Sequence, residues 1–248
     1  MERSEYRTLY ENENVHFYSV ANHRIILTAV EKYFGKVANL NILDAGCGTG
    51  GLTEKLKRFG SVVGVDTSEE AVAFSLKRGV DARRASVENL PFNENTFDLV
   101  VSMDVIYHQK VGNDVKALKE FARVLRPGGI LILKVPSYDW LRRSCDRQVH
   151  TKIRYTRRSL KNKLIDAGFS VNDIRYVNAL LTLPAILTYF LEKISGAKDA
   201  HTPVTRLPKF VNRVALATLS TEQYISSKLH PPFGLGILAI CSLQRRTS

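Results

Sequence analysis

The segment Ile42-Leu43-Asp44-Ala45-Gly46-Cys47-Gly48-Thr49-Gly50-Gly51 decides the fold of this chain. An apolar run leads directly into four glycines within six residues, and residues 52–56 then have the pattern of a helix. Glycine is required where a backbone takes positive φ or where a ligand approaches the main chain closely. The segment therefore predicts a strand, a tight turn and a helix whose N-terminal N–H groups face an anionic or carboxylate-bearing cofactor.

A second strand, residues 62–66, ends in an acid. Asp66 follows Gly50 by sixteen residues, the distance at which an α/β nucleotide fold places a carboxylate on ribose hydroxyls. NAD and S-adenosylmethionine both carry such a ribose. A dinucleotide turn has the spacing G-x-G-x-x-G, whereas Gly46, Gly48 and Gly50 form G-x-G-x-G after the acid Asp44. The spacing favours S-adenosylmethionine.

Together with Asp66, this turn resembles that of the class I S-adenosylmethionine-dependent methyltransferases. Residues 124–129, Val-Leu-Arg-Pro-Gly-Gly, are a further signature of the class, and the resemblance covers residues 40–136. It implies a Rossmann-like α/β fold: a mostly parallel seven-stranded sheet with an antiparallel last strand, helices on both faces and a helical insertion between strands 6 and 7. The expected parts are an N-terminal helical segment or lid (1–40), a core (41–178 and 233–248) and the insertion (179–232).

The resemblance also implies which residues contact the cofactor S-adenosylmethionine. They surround the glycine turn and the ends of the next strands: Asp44, Gly46, Cys47, Gly48, Gly50, Asp66, Thr67, Ser86, Val87 and Met103. Ser86 stands where the family usually carries an acid for the adenine amino group, while Val87 still offers its backbone N–H. The departure weakens that single contact.

Methyl transfer from a sulfonium is an in-line displacement, so the enzyme mainly aligns the reactants and excludes water, and no metal is expected. If the acceptor is a hydroxyl or an ammonium group, a proton must leave, and histidine is the most available base near neutral pH. The catalytic candidates are His150 and His108. Alternatively, His108 packs beside the cofactor, and His150 orients Arg154 or caps the next helix.

An aromatic and basic element follows the fifth strand. Its His150-x-x-x-Arg154-Tyr155-Thr156 pattern resembles a subgroup of small-molecule methyltransferases. Arg154 is predicted either to bind an acidic substrate group bidentately or to pair with Asp146. Aromatic residues predicted to wall the acceptor pocket, with core packing as the alternative, are Tyr107, Tyr138, Trp140 and Tyr155.

The chain is basic, with a formal charge of +12 over 248 residues. Residues 140–163 contain nine Lys or Arg and one acid, so this segment faces an anionic substrate, a membrane surface or simply water. The three cysteines form no C-x-x-C pair, and the N-terminus lacks the apolar run of a signal peptide. A cytoplasmic protein is expected, with peripheral membrane contact as an addition.

The insertion is predicted to contain two helices. In the first, one face carries Leu180, Leu183, Ile186, Leu187, Phe190, Leu191 and Ile194, and the second starts at Pro208. Its uncharged run is too short and too amphipathic to cross a bilayer. The pair either caps the substrate site, which is the favoured interpretation, or rests on a lipid interface.

The function predicted is methyl transfer to an oxygen or nitrogen of a small-molecule or lipid-linked acceptor. An RNA or protein methyltransferase is a second possibility, supported by net charge alone. Nucleic acid is disfavoured because no aromatic stacking motif is present and Ser102-Met103-Asp104-Val105 lacks the prolines of amino-base methyltransferases. A non-catalytic S-adenosylmethionine-binding regulator is the third possibility. No oligomeric state is predicted.

Overall fold

The computed structural model describes residues 3–36, 39–195, 207–226 and 229–243. Within them, seven strands form one sheet in the order β3-β2-β1-β4-β5-β7-β6. The strands are β1 (Leu40–Ala45), β2 (Gly60–Asp66), β3 (Asp81–Arg84), β4 (Phe97–Met103), β5 (Leu125–Pro136), β6 (Phe169–Val177) and β7 (Gly236–Leu243). Strands β1 to β5 pair in parallel, and β7 runs antiparallel to both β5 and β6. The predicted fold class is confirmed.

Two helices precede β1, and others follow most of the strands. They are α1 (Arg3–Asn12), α2 (Phe17–Phe34), α3 (Gly51–Leu56), α4 (Glu69–Lys77), α5 (Asp114–Val124), α6 (Ser144–Gln148), α7 (Arg157–Asp166), α8 (Thr182–Ser195) and α9 (Lys209–Ser226). Their starts follow local capping chemistry. The Ser68 hydroxyl accepts from the Ala71 N–H at the start of α4, and Thr156 and Ser159 form a reciprocal capping box on α7.

Two apolar cores form because successive strand residues point to opposite faces of the sheet. Leu43 and Val100 belong to the core that packs against α5 and α7, whereas Ile42 and Leu99 belong to the core that packs against α2 and α3. All four side chains are fully buried. Each such residue contributes about 1.5–3 kcal/mol of transfer free energy, which fixes the register of the strands and hence the position of their carboxyl ends.

The predicted fifth strand, residues 130–135, is shorter than the observed β5. Leu125 pairs with Phe97 before a register shift, and regular pairing resumes between Ile130 and Leu99. The segment Arg126-Pro127-Gly128-Gly129 therefore ends α5 and is also part of the strand. Hydrophobic patterning missed this because polar and glycine residues interrupt the apolar run.

The two helices of the insertion are present, and α9 begins one residue after Pro208. Of the apolar positions predicted to share one helical face, Leu180 precedes α8 and the others lie in it. Most of them are exposed: Leu183, Leu187 and Ile194 are 71%, 61% and 83% exposed. Helix α8 packs instead through Thr182 and Ala185. Within the part of the chain that the structure describes, the apolar face of α8 is therefore not a packing surface.

Candidate cofactor and acceptor site

A cavity of about 380 Å³ lies at the carboxyl ends of β1, β2 and β4, the edge where open α/β sheets bind ligands. Nine of the ten predicted cofactor residues line it: Asp44, Gly46, Cys47, Gly48, Asp66, Thr67, Ser86, Val87 and Met103. The tenth, Gly50, has φ +84° and caps α3, and a Cβ there would lie 2.9 Å from the Ser75 hydroxyl oxygen. Gly50 therefore shapes the turn from behind.

The glycine turn leaves the main chain bare where it meets the cavity. Gly46 has φ +94°, and a Cβ at this residue would lie 2.1 Å from Cγ2 of Val105. At Gly48, with φ +55°, a Cβ would find only Leu9 Cδ2, at 3.9 Å, so it would enter the cavity itself. Only glycine combines this backbone conformation with an open approach for a ligand.

Asp66 is held at the end of β2 by backbone donors. Its Oδ2 accepts from the Gly48 N–H at 3.1 Å, and its Oδ1 accepts from the Ser68 N–H at 2.9 Å. Burial raises the pKa of Asp66 above its usual range, although these two N–H groups act to lower it. The hydrogen bonds fix the carboxylate beside the glycine turn, where a ribose hydroxyl can donate to it.

The cavity is acidic although the chain is strongly basic. The described residues of its wall contribute the carboxyl groups of Glu5, Glu13, Asp44, Asp66 and Asp104, and one lysine, Lys110. Burial raises the pKa of Asp44 to about 7, and the neighbouring Asp66 and Glu13 add to the effect, while the Thr53 hydroxyl at 2.6 Å opposes it. Glu13 and Asp104 already pair with Arg78 and Lys134, but a positive charge beside Asp44 would relieve the repulsion that Asp66 exerts on it, so this part of the wall favours a cationic ligand.

The outer wall of the cavity is formed by α1 and the start of α2. Arg78 fastens the end of α1 to the glycine turn: its guanidinium donates to the Tyr10 carbonyl, to the Thr49 carbonyl at 2.8 Å and to Glu13 Oε1 at 2.8 Å. Glu13 also accepts from the Thr49 hydroxyl. The N-terminal segment is thereby fixed over the cavity, with Leu9 on its wall.

A buried lysine lies behind the cavity where β4 and β5 end. Lys134 is 1% exposed, and its Nζ lies 2.6 Å from Oδ2 of Asp104 and 5.5 Å from the ring centroid of Tyr18. Burial acts to lower the pKa of Lys134, but Asp104 and Tyr18 oppose it, and the net pKa lies above the usual value of lysine. Lys134 is therefore a cation, while Asp104 and Tyr18 reach the cavity.

Two residues predicted to act on the acceptor, Tyr107 and His108, also line the cavity. Burial raises the pKa of Tyr107, so its hydroxyl keeps its proton. Burial also lowers the pKa of His108 to about 4, with His150 contributing. Because Nδ1 of His108 accepts from the Lys110 N–H at 3.0 Å, the proton of its neutral ring is on Nε2. His108 is therefore arranged to donate a hydrogen bond.

The remaining predicted residues lie outside the cavity lining. The His150 ring is 5.6 Å from that of His108, and the Tyr138 ring stacks on Tyr176. Trp140 is 55% exposed, whereas Tyr155 is fully buried and its hydroxyl donates to Asp114 at 2.8 Å. The structure does not bring Tyr138, Trp140 or Tyr155 to the cavity, because core packing and a surface position place them elsewhere.

Arg154 forms a bidentate ion pair with Asp146, the alternative to substrate binding that the sequence left open. Nε lies 2.8 Å from Oδ1 and Nη2 lies 2.9 Å from Oδ2, and both side chains are less than 10% exposed. Its Nη1 donates to the Ser137 carbonyl at 3.0 Å. The guanidinium is thus engaged in holding the segment after β5 together.

Sequence reasoning missed Lys134, Asp104 and Tyr18. The one signal for Lys134 was a lysine inside the apolar run Ile-Leu-Ile-Leu-Lys-Val, because a lysine at such a position needs a buried partner. Asp104 directly follows β4, where polar residues of parallel strands gather. Among the described residues, no group of three or more His, Cys, Asp or Glu is arranged to hold a metal ion.

The chain is similar in sequence and in structure to known methyltransferases. Residues 43–133 match the family model described as "Methyltransferase domain". The ubiquinone biosynthesis O-methyltransferase of Parvibaculum lavamentivorans is 36% identical over 102 residues, 38% of this chain and 40% of that protein. "Probable tRNA methyltransferase 9B" of Homo sapiens is 36% identical over 108 residues, 43% of this chain and 24% of that protein.

The chain spans about half the length, or less, of the curated relatives it matches. Among solved structures, a S-adenosylmethionine-dependent methyltransferase from Thermotoga maritima superposes with a TM-score of 0.61 at 20% identity. The superposition covers 97% of this chain and 96% of that one. At this identity the likeness shows a shared fold.

Proposed function

We propose that this chain, which carries a class I S-adenosylmethionine-dependent methyltransferase domain, transfers a methyl group to an oxygen or nitrogen of a small-molecule or lipid-linked acceptor. S-adenosylmethionine is the cofactor of this domain and supplies a methyl group on a positively charged sulfur. The observation that carries the proposal is the acidic cavity, whose lining includes the glycine turn and Asp66 together with Asp104, Tyr107 and His108.

The residues present fit this cofactor. Asp66 would accept from the ribose hydroxyls, Gly48 would leave room beside the main chain, and the apolar Val87 and Met103 would contact the adenine ring. The carboxyl groups of the cavity wall would attract the cationic sulfur. All of these residues bind and orient the cofactor. In well-oriented intramolecular reactions, such positioning lowers the activation free energy by roughly 7–11 kcal/mol.

We propose that Asp104 is the general base that accepts the proton leaving the acceptor. Its carboxylate lines the cavity, and the charge of buried Lys134 fixes it in place through a 2.6 Å hydrogen bond. The sequence-based candidates His108 and His150 fit this role less well. The lone pair of His108 Nδ1 already accepts from the Lys110 N–H, and His150 is outside the cavity lining. We propose that the Nε2–H of His108 donates a hydrogen bond that orients an acceptor oxygen. Asp104 acts as the general base, and we expect it to increase the rate of methyl transfer by about 10²–10⁴-fold.

A small acceptor is favoured over a polymer. The outer wall formed by α1 and α2 restricts access to the cavity, and the name of the ubiquinone biosynthesis O-methyltransferase supports an oxygen acceptor on a small molecule. The relative named as a probable tRNA methyltransferase makes RNA the competing acceptor. Binding to RNA would draw on the positive charge of the chain and would weaken steeply with salt.

The proposal is tested by incubating the protein with methyl-labelled S-adenosylmethionine and a fractionated cell extract. We expect label in the small-molecule or lipid fraction, entering at least about 100-fold more slowly when Asp104→Asn replaces the wild type. Label found only in RNA or protein would contradict the proposal and identify that polymer as the acceptor. An absence of label from every fraction, with cofactor binding intact, would instead support the non-catalytic regulator.

A further inference from the structure

Helix α8 presents its apolar side chains to water. Leu183, Leu187, Phe190, Leu191 and Ile194 are between 51% and 83% exposed. They follow one another at spacings of three, four or one residues, so they form a single stripe along the helix. The opposite side, with Thr182 and Ala185, is the buried one. A surface helix of a globular protein normally has the reverse orientation.

Helix α9 repeats this arrangement. Phe210, Val211, Val214 and Ile225 are between 47% and 78% exposed, while Leu219, Glu222 and Ser226 are buried. The inward side is tied to α2 by polar contacts: the Asn212 side chain accepts from the Phe17 N–H at 2.8 Å, and the Gln223 amide donates to the Ala21 carbonyl at 2.8 Å. We call the exposed apolar residues of α8 and α9 the outer face.

In both helices the acidic side chains lie on the inward side and the basic side chains are exposed. Their acids in the described residues, Glu192 and Glu222, turn inward: Glu192 accepts from the Ser144 N–H at 2.8 Å, and Glu222 accepts from the N–H groups of Ala179 and Leu180. The basic residues Lys193, Lys209 and Arg213 are exposed. The rim of the outer face is therefore positive.

We infer that the outer face docks this protein on an anionic lipid bilayer, with α8 and α9 lying in the headgroup region. Exposed apolar side chains beside exposed lysine and arginine are the composition of interfacial helices, and each basic residue near an anionic surface adds attraction. No helix within the described residues is long and apolar enough to cross a membrane. A second copy of the chain fits less well, because two such faces would bring equal positive rims together.

The test is co-sedimentation of the full chain with phosphatidylcholine vesicles, with and without phosphatidylglycerol. We expect binding to the anionic vesicles. The Leu187→Gln/Phe210→Gln variant, which changes apolarity without changing charge, should weaken this binding by at least about tenfold. Leu76→Gln is the matched control: Leu76 is 54% exposed on α4, outside the outer face, and its replacement should leave binding unchanged.

Charge is tested separately with Lys209→Gln and Arg213→Gln. Each should weaken binding to anionic vesicles by about fivefold, because one basic residue near such a surface adds about 1 kcal/mol. Trp140, the single tryptophan of the chain, lies 6.2 Å from the ring of Tyr189 on α8 and reports docking in the unmodified protein. Its emission should shift to shorter wavelength with anionic vesicles.

Three results would overturn the inference: no binding to anionic vesicles, equal binding by the Leu187→Gln/Phe210→Gln variant, or a dimer in solution that this variant abolishes. None of the readouts depends on methyl transfer. A failure of docking is therefore distinguishable from a failure of the proposed function.

Discussion

Nζ of Lys134 lies 2.6 Å from Oδ2 of Asp104, yet only one partner of this ion pair can be hydrated in place. The lysine side chain is 1% exposed and the aspartate side chain is 27% exposed. If the lysine were removed, water could reach Asp104 from the cavity. If the aspartate lost its charge, Lys134 would remain a buried cation without its counter-charge.

This asymmetry predicts unequal effects on stability. Asp104→Asn should lower the free energy of unfolding by up to about 3 kcal/mol, because it leaves the buried ammonium uncompensated. Lys134→Met should cost less, and the double variant should be more stable than Asp104→Asn alone. Urea unfolding of the four proteins as a double-mutant cycle measures this. Strictly additive changes would show that the two side chains are not coupled.

Asp66 is predicted to control cofactor affinity rather than folding. Asp66→Asn should weaken S-adenosylmethionine binding about 10- to 100-fold, because hydrogen bonds to a charged group contribute about 1.5–3 kcal/mol. Glu69→Gln is the control, since Glu69 is an acid three residues away whose side chain is 83% exposed. Calorimetric titration measures both. Equal affinities of the two variants would remove Asp66 from the site.

The glycine turn predicts a steric effect that a matched pair can isolate. Gly46→Ala should destabilise the protein more than Gly79→Ala, although both residues have positive φ. The Cβ at Gly46 meets Val105, whereas no described residue lies within 4 Å of a Cβ at Gly79. Only backbone strain of about 1 kcal/mol therefore remains at Gly79. Thermal unfolding measures the difference. Equal melting temperatures would mean that the turn relaxes away from Val105.

The raised pKa of Asp44 predicts that the free energy of unfolding depends on pH. Its pKa is about 7 in the folded protein, mainly through burial, and 3.8 in its ordinary state. The folded state therefore holds a proton that the unfolded state releases, so this residue makes the protein less stable as pH rises from about 4 to 7. Asp44→Asn should raise the melting temperature at pH 8 relative to wild type and have little effect at pH 4. The opposite order would show that Asp44 is a stabilising carboxylate in the folded state.

The parts of the fold that could be predicted are those encoded by contiguous residues. The run from Ile42 to Gly51 specifies strand, turn and helix through backbone chemistry alone, and Asp66 follows at a spacing set by one βαβ unit. Nine of the ten predicted cofactor residues consequently line one cavity.

The acceptor side was harder to predict because it depends on contacts between distant segments. Asp104, at the end of β4, accepts a hydrogen bond from Lys134 in the neighbouring strand β5, and Tyr18 of α2 contacts the same lysine. Periodicity also identifies which residues of α8 share a face, but not which way that face points. The inward side of α8 makes polar contacts such as that of Glu192 with the Ser144 N–H, and a hydrophobic pattern does not predict such contacts.

The central claim is that the acidic cavity beside Asp66 binds a cationic adenosine methyl donor. Isothermal titration calorimetry of the unmodified protein with S-adenosylmethionine, its demethylated product and NAD tests it directly. We predict saturable binding of the first two, at one site per chain, and none of NAD. Binding of NAD without binding of either methyl-donor compound would contradict the account.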